Sequence, residues 1–215
     1  MSRPSEDPIV SDGSVRNRTE PELTRDQRRL LLHIARASIA SGLVGAPLPD
    51  SPPDSSSVGG VTAASNWPVL LEPRGVFTTL YSSDQLRGCV GYPLPIRPLF
   101  RAVAETARAA AFEDSRFVPL TPEEAPGLKI SLSVLSPLMA IAPGEVEIGR
   151  HGLVISDGIR RGLLLPQVPI EHGWDRETFL QQTCRKAGLP LDAWRQPEVQ
   201  IQGFTADVFS DEDSE

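Results

Sequence analysis

A chain of 215 residues, 40% hydrophobic and 23% charged, is long enough for one sizeable core or for two small lobes that share one. A formal net charge of -7 and a pI near 5.1 provide no long-range pull toward nucleic acid or an anionic membrane surface, which disfavours a nucleic-acid-binding regulator. Two cysteines make neither a disulfide framework nor a zinc-type CxxC pair, and no apolar run reads as a signal peptide or membrane span, so a cytoplasmic protein with free thiols and no metal or cofactor is expected.

Residues 1–21 are polar and charged and read as a disordered tail. A helix follows from Thr24 to Ser41, where Thr24 and Gln27 fit a capping box and Leu31, Ile34, Ala35 and Ile39 form a buried stripe. Ser38 falls on that stripe, its hydroxyl expected to bond back to a carbonyl one turn earlier. Residues 42–65 are rich in Pro, Ser and Gly and read as a flexible connector. Gly75–Tyr81 is a predicted strand, turned back through Ser82–Gln85 into a second strand that carries Cys89. A helix over 97–112 presents Phe100, Val103, Ala107 and Ala110 on one stripe, and Leu128–Leu135 alternates cleanly as a strand. His151–Ser156 and Arg161–Leu165 flank Asp157-Gly158 as a hairpin. Asp175 caps a helix to Ala187 with Leu180, Cys184 and Ala187 buried, and a last strand spans Val199–Val208 before an acidic tail at 210–215. Terminal helices with hairpins between them argue for an α+β fold of mainly antiparallel sheet with packed helices.

Leu86-Arg87-Gly88-Cys89-Val90-Gly91 is the string that carries chemistry. In an extended strand Arg87 and Cys89 share a face, roughly 6–7 Å apart, with Leu86 and Val90 on the other. A guanidinium beside a thiol favours the thiolate. Gly88 and Gly91 leave room for another backbone or a ligand. The bland readings are a buried packing cysteine and an Arg87 ion pair with Asp84 or Asp114. Read the other way, Arg87 is an anion clamp for carboxylate or phosphate. Gly88–Gly91 lacks the Lys-Ser/Thr of a phosphate-binding loop and is weak as an anion nest. His151, with Gln167 and Glu171 further on, supplies candidate polar groups to stand behind the motif, although a turn histidine is the commoner outcome and no metal-ligand spacing is present. Trp174 and Phe179 read as packing residues, and Asp114-Ser115-Arg116 as a local cap and ion pair.

Four stretches together resemble the AMMECR-type domain. They are Gly75–Leu80; LRGCVG at Leu86–Gly91; Ala111–Phe117, continuing through Pro119-Leu120-Thr121 to Ser133–Pro137; and Gly152-Leu153 through Leu164–Val168, Glu171, Gly173-Trp174, Phe179-Leu180 and Lys186–Leu189. The resemblance spans about Leu23 to Phe209 and implies a single domain over 22–209, with a smaller lobe on a larger one and the cysteine motif near the cleft between them. It also implies Memo-like and radical-SAM protein partners, and it comes with no established reaction. Two positions depart from the family pattern. Tyr92-Pro93 follows the motif where a small polar residue is usual, and Ser131 stands where an acid is expected. Three readings follow: a small-molecule or partner-binding component with its site at LRGCVG; an enzyme using Cys89 as nucleophile or redox thiol with Arg87 on an anionic substrate group; and, least favoured by the charge, a nucleic-acid binder.

Overall fold

The structure is a computed structural model that describes residues 23–48 and 67–214, so the tail read at 1–21 and most of the connector read at 42–65 lie outside the described residues. Five helices are described: α1 (Arg25–Leu43), α2 (Trp67–Leu71), α3 (Leu99–Phe112), α4 (Val168–Glu171) and α5 (Arg176–Lys186). The strands are β1 (Val76–Ser82), β2 (Gln85–Tyr92), β3 (Leu128–Leu135), β4 (Met139–Ala140), β5 (Gly152–Ser156), β6 (Arg161–Leu164), β7 (Gln200–Phe204) and β8 (Ala206–Ser210). They form two antiparallel four-stranded sheets, ordered β2-β1-β3-β8 and β4-β7-β5-β6. The fold is α+β.

Local chemistry accounts for the first unit. Thr24 Oγ1 accepts from the Gln27 amide at 3.3 Å, and Gln27 Oε1 accepts from the Thr24 amide at 2.9 Å, so both donors at the start of α1 are satisfied. α1 runs two residues beyond Ser41, taking Gly42 and Leu43 from the expected connector. The alternation of β1 and β3 puts Val76, Thr78, Leu80, Ile130, Leu132 and Val134 on one buried face, which α1 and α3 cover. Ser38 does not bond back along its own helix. Its hydroxyl donates across to the Ala104 carbonyl of α3 at 2.6 Å, because alanines at that crossing let the two helices approach closely.

The second unit has its own core, in which Val146, Leu153, Ile155, Phe179, Leu180 and Cys184 are buried between its sheet and α5. In both units a strand glycine admits a helix backbone. A Cβ on Gly88 would lie 2.1 Å from the Ala110 carbonyl oxygen of α3, and one on Gly162 would lie 2.3 Å from the Ala187 amide nitrogen at the end of α5.

The units are joined by two crossings that lie side by side. β3 passes into β4 through Ser136, and β7 passes into β8 through Thr205. The Ser136 amide donates to the Thr205 carbonyl, and the Thr205 amide donates to Ser136 Oγ, each at 2.9 Å. The single strand expected over Val199–Val208 is therefore two strands in different sheets, broken where the chain changes layer. A third apolar cluster ties the units together: Leu135, Val154 and Phe204 are buried, with Phe77, Leu163, Leu165 and Ala206 packed against them.

Ser210, read as the start of an acidic tail, is the last residue of β8, and Asp211–Ser214 form a 3-10 turn. Asp211 accepts from the Ile130 amide at 3.0 Å and pairs with Arg36, while Glu212 pairs with Lys129 at 2.6 Å. The acids are fixed because β8 ends one residue short of Ile130, which leaves an edge N–H that a carboxylate fills.

Candidate functional site

The motif strand β2 is an edge of the first sheet, paired to β1. Its register shifts at a bulge: Leu80 faces Gly88, but Tyr81 faces Leu86, leaving Arg87 as the extra residue. The simple alternation expected of the motif fails there. Leu86 falls opposite Tyr81, whereas Val90 falls opposite Thr78 and packs into the helix-covered core.

Cys89 pairs with Thr79, Thr79 with Ser131, and Ser131 with Ser210, so one row of short polar side chains crosses the first sheet on the face away from α1 and α3. All four residues are half-buried. The neighbouring row is Gly91, Phe77, Ser133 and Val208. A Cβ on Gly91 would stand 2.2 Å from the Phe77 ring, so the absent side chain makes room for that ring. The space at both motif glycines is thus taken by protein, the Ala110 carbonyl at Gly88 and the Phe77 ring at Gly91.

Cys89 is gripped through its backbone. Its N–H donates to Asp114 Oδ2 at 2.9 Å, and its carbonyl accepts from Arg116 Nη2 at 3.2 Å. The Thr79 hydroxyl donates to Sγ at 3.4 Å. Asp114 and Arg116 pair with each other at 2.7 Å; the Asp114 side chain is 7% exposed and that of Arg116 56%. The Arg116 guanidinium, followed by the Cys89 amide, holds the Asp114 carboxyl well below the usual carboxylate range. The ion pair read within Asp114–Arg116 is therefore present, and it also reaches 25 residues back to the motif.

Arg87 does not supply the cation at Cys89. Its Nε and Nη2 meet Glu124 Oε1 and Oε2 at 3.0 and 3.2 Å, and Nη2 also donates to the Val118 carbonyl at 2.9 Å. Neither Asp84 nor Asp114 is its partner: Asp84 pairs with Lys129, and Asp114 with Arg116. Arg87, followed by the Thr121 amide, pushes Glu124 down to about 2. The bulge explains the exchange, because the extra residue escapes the alternation that would have set Arg87 beside Cys89.

The groups expected to stand behind the motif, His151, Gln167 and Glu171, are engaged elsewhere. His151 Nδ1 accepts from the Glu147 amide at 3.0 Å, and burial, helped by Arg150, lowers its pKa. Gln167 and Glu171 bracket α4 with exposed side chains, and the Glu171 amide donates to the Gln167 carbonyl at 3.0 Å. His172 stacks on Trp174 with ring centroids 4.6 Å apart. From the second unit, Leu163 and Leu165 reach the cluster that holds Phe77. Sequence reasoning missed Thr79, Asp114, Arg116 and Glu124 as site groups. The one available signal was that Asp114 and Arg116 lie in one of the strings on which the family resemblance rests.

The two positions expected to depart from the family pattern, Tyr92 and Ser131, have clear places in the fold. Tyr92 donates to Glu105 Oε2 of α3 at 3.0 Å, closing the end of the edge strand onto the helix. Burial, then Glu105, raises the Tyr92 pKa, so the phenol stays protonated as the donor. Ser131 lies in the Cys89 row, two strands away, about 10 Å at ordinary strand spacing.

A protein-family model, AMMECR1, matches residues 32–209. The chain belongs to the AMMECR1 family. Family relatives include a Methanopyrus kandleri protein, 43% identical over 205 residues, covering 90% of this chain and 93% of the relative. A Thermococcus gammatolerans protein is 43% identical over 197 residues, covering 85% and 89%. The AMMECR1-type fold is also matched by the crystal structure of a Pyrococcus horikoshii protein, described as uncharacterized, with a TM-score of 0.66 and 37% identity, covering 88% of this chain and 94% of that one. Among the described residues, no helix is long and apolar enough to cross a membrane, and no group of three His, Cys, Asp or Glu side chains is placed to hold a metal ion.

Proposed function

We propose that this AMMECR1-family protein is a small-molecule or partner-binding component acting with Memo-like and radical-SAM proteins, and that it binds on the sheet face carrying Cys89, Thr79 and Ser131. The observation that carries the reading is the grip on Cys89: Asp114 and Arg116 fix its backbone from both sides, while its half-buried thiol accepts from the Thr79 hydroxyl on a face left free of helices. Rigid presentation of short hydrogen-bonding groups suits recognition. The nearby carboxylates are held ionised by guanidinium groups, and His151 is occupied by a backbone amide, which supports binding over proton transfer.

Titration calorimetry with a purified Memo-like protein tests the reading. Replacing Thr79→Val together with Cys89→Ala should weaken association by about tenfold, the scale of a lost hydrogen-bonded contact. Unchanged affinity would sink it. A second reading, an enzyme using Cys89 as nucleophile or redox thiol, draws on the Thr79 hydroxyl donated to Sγ. Alkylation of Cys89 that stays fast well below the free-thiol pKa of about 8.5 would bring that reading forward.

A further inference from the structure

A second surface feature lies on the other unit, away from the cysteine motif. Leu164 of β6, Trp174 ahead of α5, and Gln182, Arg185 and Lys186 of α5 line a shallow depression of about 430 Å³. Its walls differ in chemistry. Leu164 and Trp174 are half-buried and apolar, and the Trp174 ring is backed by the stacked His172 ring. Arg185 and Lys186 are exposed, and among the described residues no ion pair or side-chain hydrogen bond engages either one. That is uncommon here, where Arg28, Arg36, Arg87, Arg116, Arg160, Arg195 and Lys129 all have carboxylate partners. Cations in the last turn of a helix offset its macrodipole, but that effect needs no tryptophan and no hollow beside them.

We propose that this depression docks an acidic peptide segment of a partner protein. An apolar side chain of the segment rests on Trp174 and Leu164, its flanking carboxylates meet Arg185 and Lys186, and the Gln182 amide serves the peptide backbone. The charge of the rim selects the occupant, since two unpaired cations on a chain of net charge -7 form a local site of opposite sign. The open shape favours a peptide over an enclosed small molecule. Asp211 and Glu212 at the described C-terminal end are not available, because Asp211 is held by Arg36 and Ile130, and Glu212 by Lys129.

The test titrates the full chain, uniformly labelled with nitrogen-15, with the peptide Asp-Glu-Phe-Asp-Glu at low salt, following the Trp174 indole N–H resonance. Saturable movement of that resonance is expected, and Arg185→Gln with Lys186→Gln should weaken binding by about tenfold or more. Gln182→Glu, which sets a negative charge at the rim against the peptide's carboxylates without touching the core, should weaken it by about threefold. Arg150→Gln should leave it unchanged. A still resonance, or equal weakening by Arg150→Gln, overturns the proposal. Tighter binding of phenyl phosphate at the same resonance overturns it in favour of a small-molecule site. Failure here leaves the Cys89 reading standing, because the two surfaces share no residue.

Discussion

Thr78 and Thr106 meet in the core beneath the first sheet, both fully buried. Thr106 donates to the Ala102 carbonyl at 2.8 Å, so the 2.8 Å bond between the two hydroxyls takes its proton from Thr78. Their deletions are therefore unequal. Thr106→Val strands the Thr78 hydroxyl in an apolar core and should cost about 1–3 kcal/mol, while Thr78→Val leaves Thr106 bonded to its own helix and should cost about 1 kcal/mol. Urea unfolding of both variants decides it, and equal losses would contradict the assigned donor. At the motif, Asp114→Ala removes the acceptor for the Cys89 amide and the partner of Arg116 together. Faster hydrogen exchange at the Cys89 amide is expected, with a loss of about 1–3 kcal/mol. Exchange as slow as before would mean that the sheet, and not the Asp114 loop, fixes the motif.

Most elements announce themselves in the sequence because each rests on a single local pattern. The Thr24/Gln27 box, the strict alternation of Leu128–Leu135 and the Asp157-Gly158 hairpin need no distant partner to be read. The β1–β2 turn is read at Ser82–Gln85, although Ser83 and Asp84 adopt positive φ of 50° and 62° without a glycine. What escapes is decided elsewhere in the chain. The bulge at Arg87 depends on pairing with β1, and the break at Thr205 depends on which sheet each half joins. The carboxylates that hold Arg87 and the Cys89 backbone come from the stretch between α3 and β3. The motif's identity was legible, but its wiring was not. The glycine contacts add a test at this scale. Gly88→Ala must push α3 away from β2, and Gly162→Ala must push the end of α5 away from β6. Each should cost about 1–3 kcal/mol. Only Gly88→Ala should also change the alkylation rate of Cys89, and the same change from Gly162→Ala would show that the two units move together.

For the molecule as a whole, acid is the informative perturbant. Asp114 and Glu124 both titrate below their ordinary values of 3.8 and 4.5 because guanidinium groups favour their ionised forms. A depressed carboxyl stabilises the fold fully above its unfolded pKa, and that contribution is lost as the pH falls toward the folded value. Stability should therefore decline from pH 4.5 downward toward about 2. Glu124→Gln should flatten the decline, which urea unfolding across that range measures. An unaltered slope would place the acid sensitivity in other pairs.

The side-by-side crossings at Ser136 and Thr205 also carry a genetic consequence. The chain leaves the first sheet after Leu135 and returns at Ala206, and these two residues are already cross-strand neighbours. The first sheet is thus contiguous around a detour of 70 residues (136–205), and a tight turn placed between Leu135 and Ala206 would join β3 to β8 as an ordinary hairpin. In evolutionary terms the detour is a cassette, seated at a spot where a gene can gain, lose or exchange coding sequence without re-threading the sheet that receives it.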